Sequence, residues 1–137
     1  MKHMQEFKLF HPIGVEISAA LKEADVSVLP EASKRDLKNG YVWYQFLPVT
    51  ISDEVIAISL CFFNGALKEL SLGLASPDLY GSGWNDWSEE KEKARARDTE
   101  KWLNALGFNA GKYHWGEIWA SYDAKSASGS AGVRFTL

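Results

Sequence analysis

Asp123, Lys125 and Ser126 are the residues whose types come closest to a catalytic group. They stand in the stretch DAKSASGSA near the end of the chain, and a Ser–Lys pair can react when the amine is desolvated enough to act as a base. The neighbours here are small and polar, so the amine is expected to stay hydrated, and no histidine stands beside Ser126. KSASGS also lacks the G-K-[ST] order of a phosphate-binding loop. The stretch is therefore predicted to be a hairpin loop with Asx and Ser turns.

His114 and Glu117 have the H-x-x-E spacing of half a metal site. On a strand, residues three apart point to opposite faces, so these two cannot hold one ion. Adjacent carboxylates at 53–54 and 89–90 lie in polar segments and are expected to be solvated, not poised as acid and base. The sequence thus predicts no metal and no cofactor, and an enzyme is the less favoured interpretation.

Tryptophan is abundant, with six residues in the chain. A large ring with an N–H donor suits either a core or a recognition surface. The segment SPDLYGSGWNDWS is loop-like and would hold its rings near solvent, unless it folds back as a lid over the core. The predicted contact patch is this loop, with the residues Tyr80, Trp84, Asn85, Asp86 and Trp87.

A second set of residues would suit an aromatic-lined pocket between the sheet and the C-terminal strands. Such pockets are mostly apolar, with a few convergent polar groups. The residues of this alternative site are Trp43, His114, Trp115 and Glu117.

Composition limits the classes of partner. The 137 residues suit a single domain, 1–137, and the net charge of −3 mixes 15 basic with 18 acidic residues. No overall field would attract nucleic acid or an anionic membrane. The N-terminus lacks the apolar core of a secretory signal, the longest apolar run has strand length, and the only cysteine, Cys61, lies in that run. A cytoplasmic protein is predicted.

Three apolar runs predict an antiparallel meander. They are Tyr41 to Ile51, Val55 to Phe63 and Ala66 to Leu74, rich in aromatic, β-branched and leucine residues. Asn64-Gly65 between the second and third favours a type I′ turn. A two-residue turn sets Phe63 opposite Ala66 and Cys61 opposite Lys68, which places the leucines at 70, 72 and 74 on the same face as the small residues at 57 and 59.

One long helix is predicted between Asp86 and Gly107. Asp86 followed by Glu89 reads as a capping box, and Gly107 as a left-handed stop. Charged pairs at i,i+3 and i,i+4 fill the front half, which is expected to be solvated, while Trp102, Leu103 and Leu106 anchor the rear half in the core. Apolar residues within 13–24 also recur at helical spacing, but they fit strand alternation as well, so a short helix there is one of two interpretations. Residues 30–40 are polar and rich in turn formers, which predicts an exposed connection.

The end of the chain predicts a further hairpin. Side chains alternate from Tyr113 to Tyr122, and a second strand follows from Ala131 to Leu137. The predicted fold class is therefore α+β: an antiparallel sheet made of the three-strand meander and the C-terminal hairpin, with one main helix packed on a face.

The C-terminal third resembles a known kind of protein. The run from Trp102-Leu103 through Leu106-Gly107 to WGEIWASYDAKS is similar to the C-terminal signature of small, uncharacterised bacterial domains, some of which resemble the immunity proteins that neutralise toxins. The resemblance carries no catalytic residues. It implies a cytoplasmic protein that works by binding another protein.

Two functions stay open at this point. The first is a non-catalytic protein-binding module, immunity-like, that meets its partner with the Tyr80 to Trp87 loop or the charged front of the helix. The alternative is a small-molecule-binding protein or enzyme with the aromatic-lined pocket. A homodimer through an exposed strand edge is compatible with either, so monomer and homodimer both remain.

Overall fold

An antiparallel sheet of eight strands and three helices form the described part of the chain. The computed structural model describes residues 7–10, 13–30, 32–81 and 84–136, with the backbone alone at Trp84. The helices are α1 (Glu23–Ser27), α2 (Pro77–Tyr80) and α3 (Glu89–Ala105), and the strands are β1 (Ser33–Asp36), β2 (Tyr41–Gln45), β3 (Val49–Ile51), β4 (Glu54–Phe63), β5 (Ala66–Leu74), β6 (Gly111–Tyr113), β7 (Gly116–Asp123) and β8 (Ser128–Phe135). The order across the sheet is β1-β2-β4-β5-β8-β7-β6, with β3 also paired to β4. The predicted α+β class with an antiparallel sheet is confirmed.

The turn at Asn64-Gly65 forms as predicted. Both residues have positive φ, 51° and 89°, as a type I′ turn requires, and Phe63 pairs with Ala66. Beyond the turn the predicted register is wrong, because the pairing shifts after Phe62 and Cys61 pairs with Glu69.

This register shift leaves Lys68 as the extra residue of a β-bulge. One extra residue reverses which side of the strand each later side chain takes. Leu70 therefore pairs with Leu60, not with a small residue, and the apolar side chains of β4 and β5 meet on one face. The bulge is what concentrates the large residues into a single core.

We call this side the first face of the sheet, and a row of directly paired residues runs across it. Each is at most 4% exposed, and the row is Tyr44, Leu60, Leu70, Val133 and Ile118. Both α1, through Val26, and α3, through Trp102 and Leu103, add buried side chains to the same cluster, as do Phe7, Leu9 and Ile17.

The opposite side is the second face, with its own row of paired residues. The row reads Trp43, Cys61, Glu69, Arg134 and Glu117. The next row along the strands is Ser59, Ser71, Gly132 and Trp119. Because α1 and α3 pack on the first face, α2 is the only described helix near these rows, where Tyr80 lies beside Ser59 and Ser71.

The N-cap of helix α3 lies two residues after the predicted one. Ser88, not Asp86, is the N-cap, and its Oγ accepts a hydrogen bond from the Lys91 N–H at 3.1 Å. Gly107, with φ 96°, ends the helix as predicted. The front half is not simply solvated, since Glu92 is only 5% exposed.

Several shorter elements differ from the prediction. The run Tyr41 to Ile51 forms two strands, β2 and β3, and the exposed connection contains the edge strand β1, whose side chains are all exposed. Residues 13–22 form turns and isolated bridges instead of a helix, and α1 begins only at Glu23. A turn at 114–115 divides the predicted strand from Tyr113 into β6 and β7.

Candidate functional site

A pocket of about 440 Å³ opens on the second face, where β5 and β8 part. Their pairing ends at Leu72 and Ala131, while β8 continues along β7 to the hairpin tip. We call this cavity the Arg95 pocket. Small residues of β4, β5 and β8 line its floor, and its walls are formed by α2, Trp87, the hairpin tip and α3. The lining residues are Ala57, Ser59, Ser71, Gly73, Tyr80, Gly81, Trp87, Glu92, Arg95, Ser126, Ala127, Ser128, Gly129 and Ser130.

The α3 wall of the pocket contains an ion pair, Glu92 with Arg95, that lies against β8. Arg95 Nε lies 3.3 Å from Glu92 Oε1, too poorly aligned to count as a hydrogen bond, and Arg95 Nη2 donates to Glu92 Oε2 at 3.4 Å. The Gly129 N–H donates to Glu92 Oε1 at 3.0 Å. A buried carboxylate needs such partners, because it has lost its water. Together they fix Glu92 and orient Arg95.

Glycine at 129 is what lets α3 approach β8 this closely. A Cβ atom there would stand 1.7 Å from the Glu92 carbonyl oxygen and 2.6 Å from its carbon. From α3 the Arg95 side chain extends toward the second face, where its Cδ would lie 3.7 Å from a Cβ at Gly73. The absence of a side chain at Gly129 therefore lets α3 bring Arg95 to the pocket, whereas a Cβ at Gly73 would only contact Arg95 at an ordinary distance.

Tyr80 forms the wall beside Arg95. The Arg95 Cζ lies 5.1 Å from the centre of the ring, a cation–π contact, and the Tyr80 hydroxyl donates to Asp98 Oδ2 at 2.7 Å. Burial raises the pKa of Tyr80 well above its usual value, the bond to Asp98 raises it further, and Arg95 opposes both. Tyr80 therefore remains a protonated donor at neutral pH.

The opposite wall is tied to the hairpin tip. Trp87 Nε1 donates to the Ala127 carbonyl at 2.7 Å, which joins the segment before α3 to the β7–β8 turn. Within that turn, Asp123 accepts from the Lys125 N–H at 3.0 Å and from Ser126 Oγ at 3.1 Å. Lys125 is exposed. These contacts are those of the predicted Asx turn and offer no desolvated base. The turn is shorter than the predicted loop, because β8 begins at Ser128 and not at Ala131.

The predicted contact loop is partly built into this pocket. Tyr80, only 3% exposed, and Trp87 line it, whereas Asn85 and Asp86 are exposed beside it. Lys91 Nζ donates to the Asp86 carbonyl at 2.9 Å. The side chain of Trp84 lies outside the described part of the chain.

The alternative site is not assembled by the fold. Trp43 and Glu117 share a row of the second face but lie four strand spacings apart, about 19 Å. Trp115 turns to the other side, where it stacks on Tyr113 at 5.0 Å and contacts Phe135. His114 is exposed in the same turn. The turn at 114–115 is the reason, because it breaks the alternation expected of one continuous strand.

Sequence reasoning missed the pocket's central residues. In the sequence, Glu92 and Arg95 are one of the i,i+3 charged pairs in the front half of the helix, which is predicted to be solvated. The signal that could have found the site is the run SGSAG at 128–132, small residues inside a strand that leave room for a helix on one side and a cavity on the other.

Among the described residues, no three of the types His, Cys, Asp and Glu come together as metal ligands. Among the described helices, none has both the length and the apolar character needed to cross a membrane.

Comparisons of the chain with protein-family models, with curated proteins and with solved structures find no match in any of the three.

Proposed function

We propose that this protein is a non-catalytic protein-binding module whose partner docks on the second face of the sheet. The observation that carries the proposal is the central row of that face, where Trp43, Glu69, Arg134 and Glu117 stand in register with no described helix over them. Tryptophan and arginine are the residues on which interfaces most often depend.

A rigid Trp–Arg platform lies at the middle of this face. Trp119 covers Gly132 so closely that a Cβ there would be 2.2 Å from two atoms of the indole. The Arg134 Cζ stands 5.1 Å from the Trp119 ring centre. Arg134 also contacts Glu69 at 3.3 Å and Glu117 at 3.1 Å. Since these side chains are already fixed, a partner would lose little entropy in ordering them.

The shape of the face favours a macromolecule over a small ligand. From Trp43 to Glu117 the row spans about 19 Å, and each strand adds length at right angles to it. A patch of these dimensions is comparable with one side of a standard protein–protein interface, about 800 Å². Its charges alternate and are paired, so it has no single sign that would attract nucleic acid.

The resemblance of the C-terminal third to immunity-like bacterial domains supports the same conclusion. It extends the proposal to a toxin-like protein as the partner and to the cytoplasm as the place of action. Most of the second-face residues named here, Trp119, Glu117 and Arg134, lie in or next to that third of the chain.

The test compares two aromatic truncations. The protein is cross-linked in extract of its own host as the parent chain, as Trp119→Ala and as Phe10→Ala, the control, since Phe10 is 72% exposed and far from the second face in sequence. We expect one protein to be captured by the parent and the control but not by Trp119→Ala. That protein is then purified, and its affinity should fall about 30-fold or more with Trp119→Ala, the effect of a hot-spot residue.

Two results would contradict the proposal. One is a purified partner that binds Trp119→Ala as tightly as the parent, or that protects amides from hydrogen exchange elsewhere than on β2, β4, β5, β7 and β8. The other is a homodimer in sedimentation that dissociates with Trp119→Ala, because a second copy would then occupy the face. Thermal melting of each variant checks that it is folded.

A further inference from the structure

Arg134 and Arg95 use the N–H donors of their guanidinium groups differently. A guanidinium has five N–H donors in one plane and can serve a carboxylate on each of two edges. Arg134 does this, with Nε toward Glu69 and Nη1 toward Glu117. Arg95 turns its Nε and Nη2 toward Glu92, and its Nη1 has no hydrogen bond within the described residues.

The unused edge of Arg95 belongs to a built cavity. Glu92 is buried and held by Gly129, and the Tyr80 ring supports the guanidinium, so the donor is fixed before any ligand arrives. Hydroxyl groups of Ser59, Ser71, Ser128 and Ser130 line the same space. A volume of about 440 Å³ lies within the range of small-ligand sites.

The charges around the cavity select the ligand. Within the described part of the chain, the lining contains one cation, Arg95, and one anion, Glu92, with Asp98 behind Tyr80. A cationic ligand would meet Arg95, and a dianion such as phosphate would bring two negative charges beside Glu92 with one cation to share. A carboxylate brings one charge, and its two oxygens match the N–H groups of a guanidinium edge.

We propose that the Arg95 pocket binds a carboxylate group, with Arg95 bridging Glu92 and the ligand as Arg134 bridges Glu69 and Glu117. The carboxylate comes either from a small organic acid or from an acidic side chain of a protein. This goes beyond the proposed function and does not depend on it, because binding can be measured with free acids in the absence of any partner.

Binding is tested by NMR titration of the labelled full chain. The probes are butanoate, which carries one carboxylate, and its neutral analogue butanamide, with inorganic phosphate as a third. We expect butanoate to shift the Arg95 Nε–H signal and the amides of Ser71 and Ser130, and to bind about tenfold or more tightly than the other two.

Two variants remove the site while keeping the fold. Ser71→Val fills the floor and suits a strand, and Ser33→Val is its control on the distant edge strand β1. Glu92→Gln combined with Arg95→Gln removes both charges together, since removing one alone would leave a buried charge without its partner. Arg97→Gln, at an exposed position of α3, is the second control. We expect about tenfold weaker binding in both site variants and no change in the controls.

The outcomes decide the proposal and the source of the ligand. Equal binding of butanoate and butanamide, tighter binding of phosphate, no shift with any acid, or unchanged affinity in both site variants would overturn it. If a blocked peptide with an internal glutamate binds about tenfold more tightly than butanoate, the carboxylate belongs to a protein; otherwise it belongs to a small acid. Trp119→Ala should bind butanoate normally, which separates this result from the docking surface.

Discussion

Replacing Gly129 with alanine should destabilise the protein far more than a single methyl group usually does. The new Cβ would stand 1.7 Å from the Glu92 carbonyl oxygen and 3.3 Å from the Ala96 nitrogen, and both are backbone atoms of α3. Ordinary contacts begin near 3.4 Å. Since backbone cannot rotate away as a side chain can, α3 and β8 must separate by more than an ångström.

The expected cost has two parts. Forcing extra volume into a packed interface costs about 1–3 kcal/mol. Separation also stretches the bond from the Gly129 N–H to the Glu92 carboxylate, now 3.0 Å, and a buried hydrogen bond to a charged group contributes about 1.5–3 kcal/mol. We therefore expect the free energy of unfolding to fall by the sum of the two, about 2.5–6 kcal/mol.

Gly73→Ala is the matched control. It also lies buried in a strand, and its Cβ would meet the Arg95 Cδ at 3.7 Å and the Ser130 Cβ at 4.0 Å, both ordinary contact distances. We expect the free energy of unfolding to change by less than about 1 kcal/mol. Alanine lowers the conformational entropy of the unfolded chain, and this effect favours the folded state. Urea unfolding followed by tryptophan fluorescence measures both. If Gly129→Ala were as stable as Gly73→Ala, the close approach of α3 to β8 would be refuted.

Three further predictions concern single groups. Ser88→Ala removes the acceptor for the Lys91 N–H and should lower the free energy of unfolding in urea by about 1 kcal/mol; an unchanged midpoint would argue against the cap. Tyr80→Phe removes the bond to Asp98 and should cost about 1–2 kcal/mol in the same assay, whereas a gain in stability would show that the bond is not formed. Burial, with a smaller contribution from a nearby carboxylate, raises the pKa of Cys61 from 9.0 to about 11, so the unfolded chain loses this proton first and stability should fall between pH 9 and 11; Cys61→Ala should make that fall shallower, and an identical slope would contradict the assignment.

The parts of the fold that depend on local chemistry could be predicted from the sequence. Asn64-Gly65 specifies its own turn, and Gly107 its helix end, because positive φ is favourable only for a few residue types. The bulge at Lys68 could not be found in this way. In the sequence, a polar residue that pairs with the neighbouring strand cannot be distinguished from one that is the unpaired residue of a bulge. The register is decided by the burial of the leucines that follow Lys68.

The edge strand β1 escaped prediction for a different reason. Its sequence, SKRD, has no apolar side chain, and all four residues are exposed. It joins the sheet through backbone hydrogen bonds to β2, and the pattern of side chains in a sequence does not reveal such bonds.

The candidate site was hidden because its residues meet only through long-range packing. Glu92 has the surroundings of a solvated helix residue in the sequence, and it is Gly129, 37 positions away, that buries it. Charge pattern alone cannot distinguish an exposed ion pair from one that a neighbouring strand covers, since both have the same i,i+3 spacing.

The small residues of β8 connect the two proposals physically. Side chains of a strand alternate between faces, so Gly129 admits α3 on the first face while Ser130 and Gly132 leave space on the second. The space at Ser130 is part of the Arg95 pocket, and the space at Gly132 holds the Trp119 ring. Larger residues in this run would close the pocket, displace the platform and push α3 from the sheet. A run of small residues that begins in the predicted hairpin loop therefore determines the packing of the helix and the form of both candidate binding surfaces.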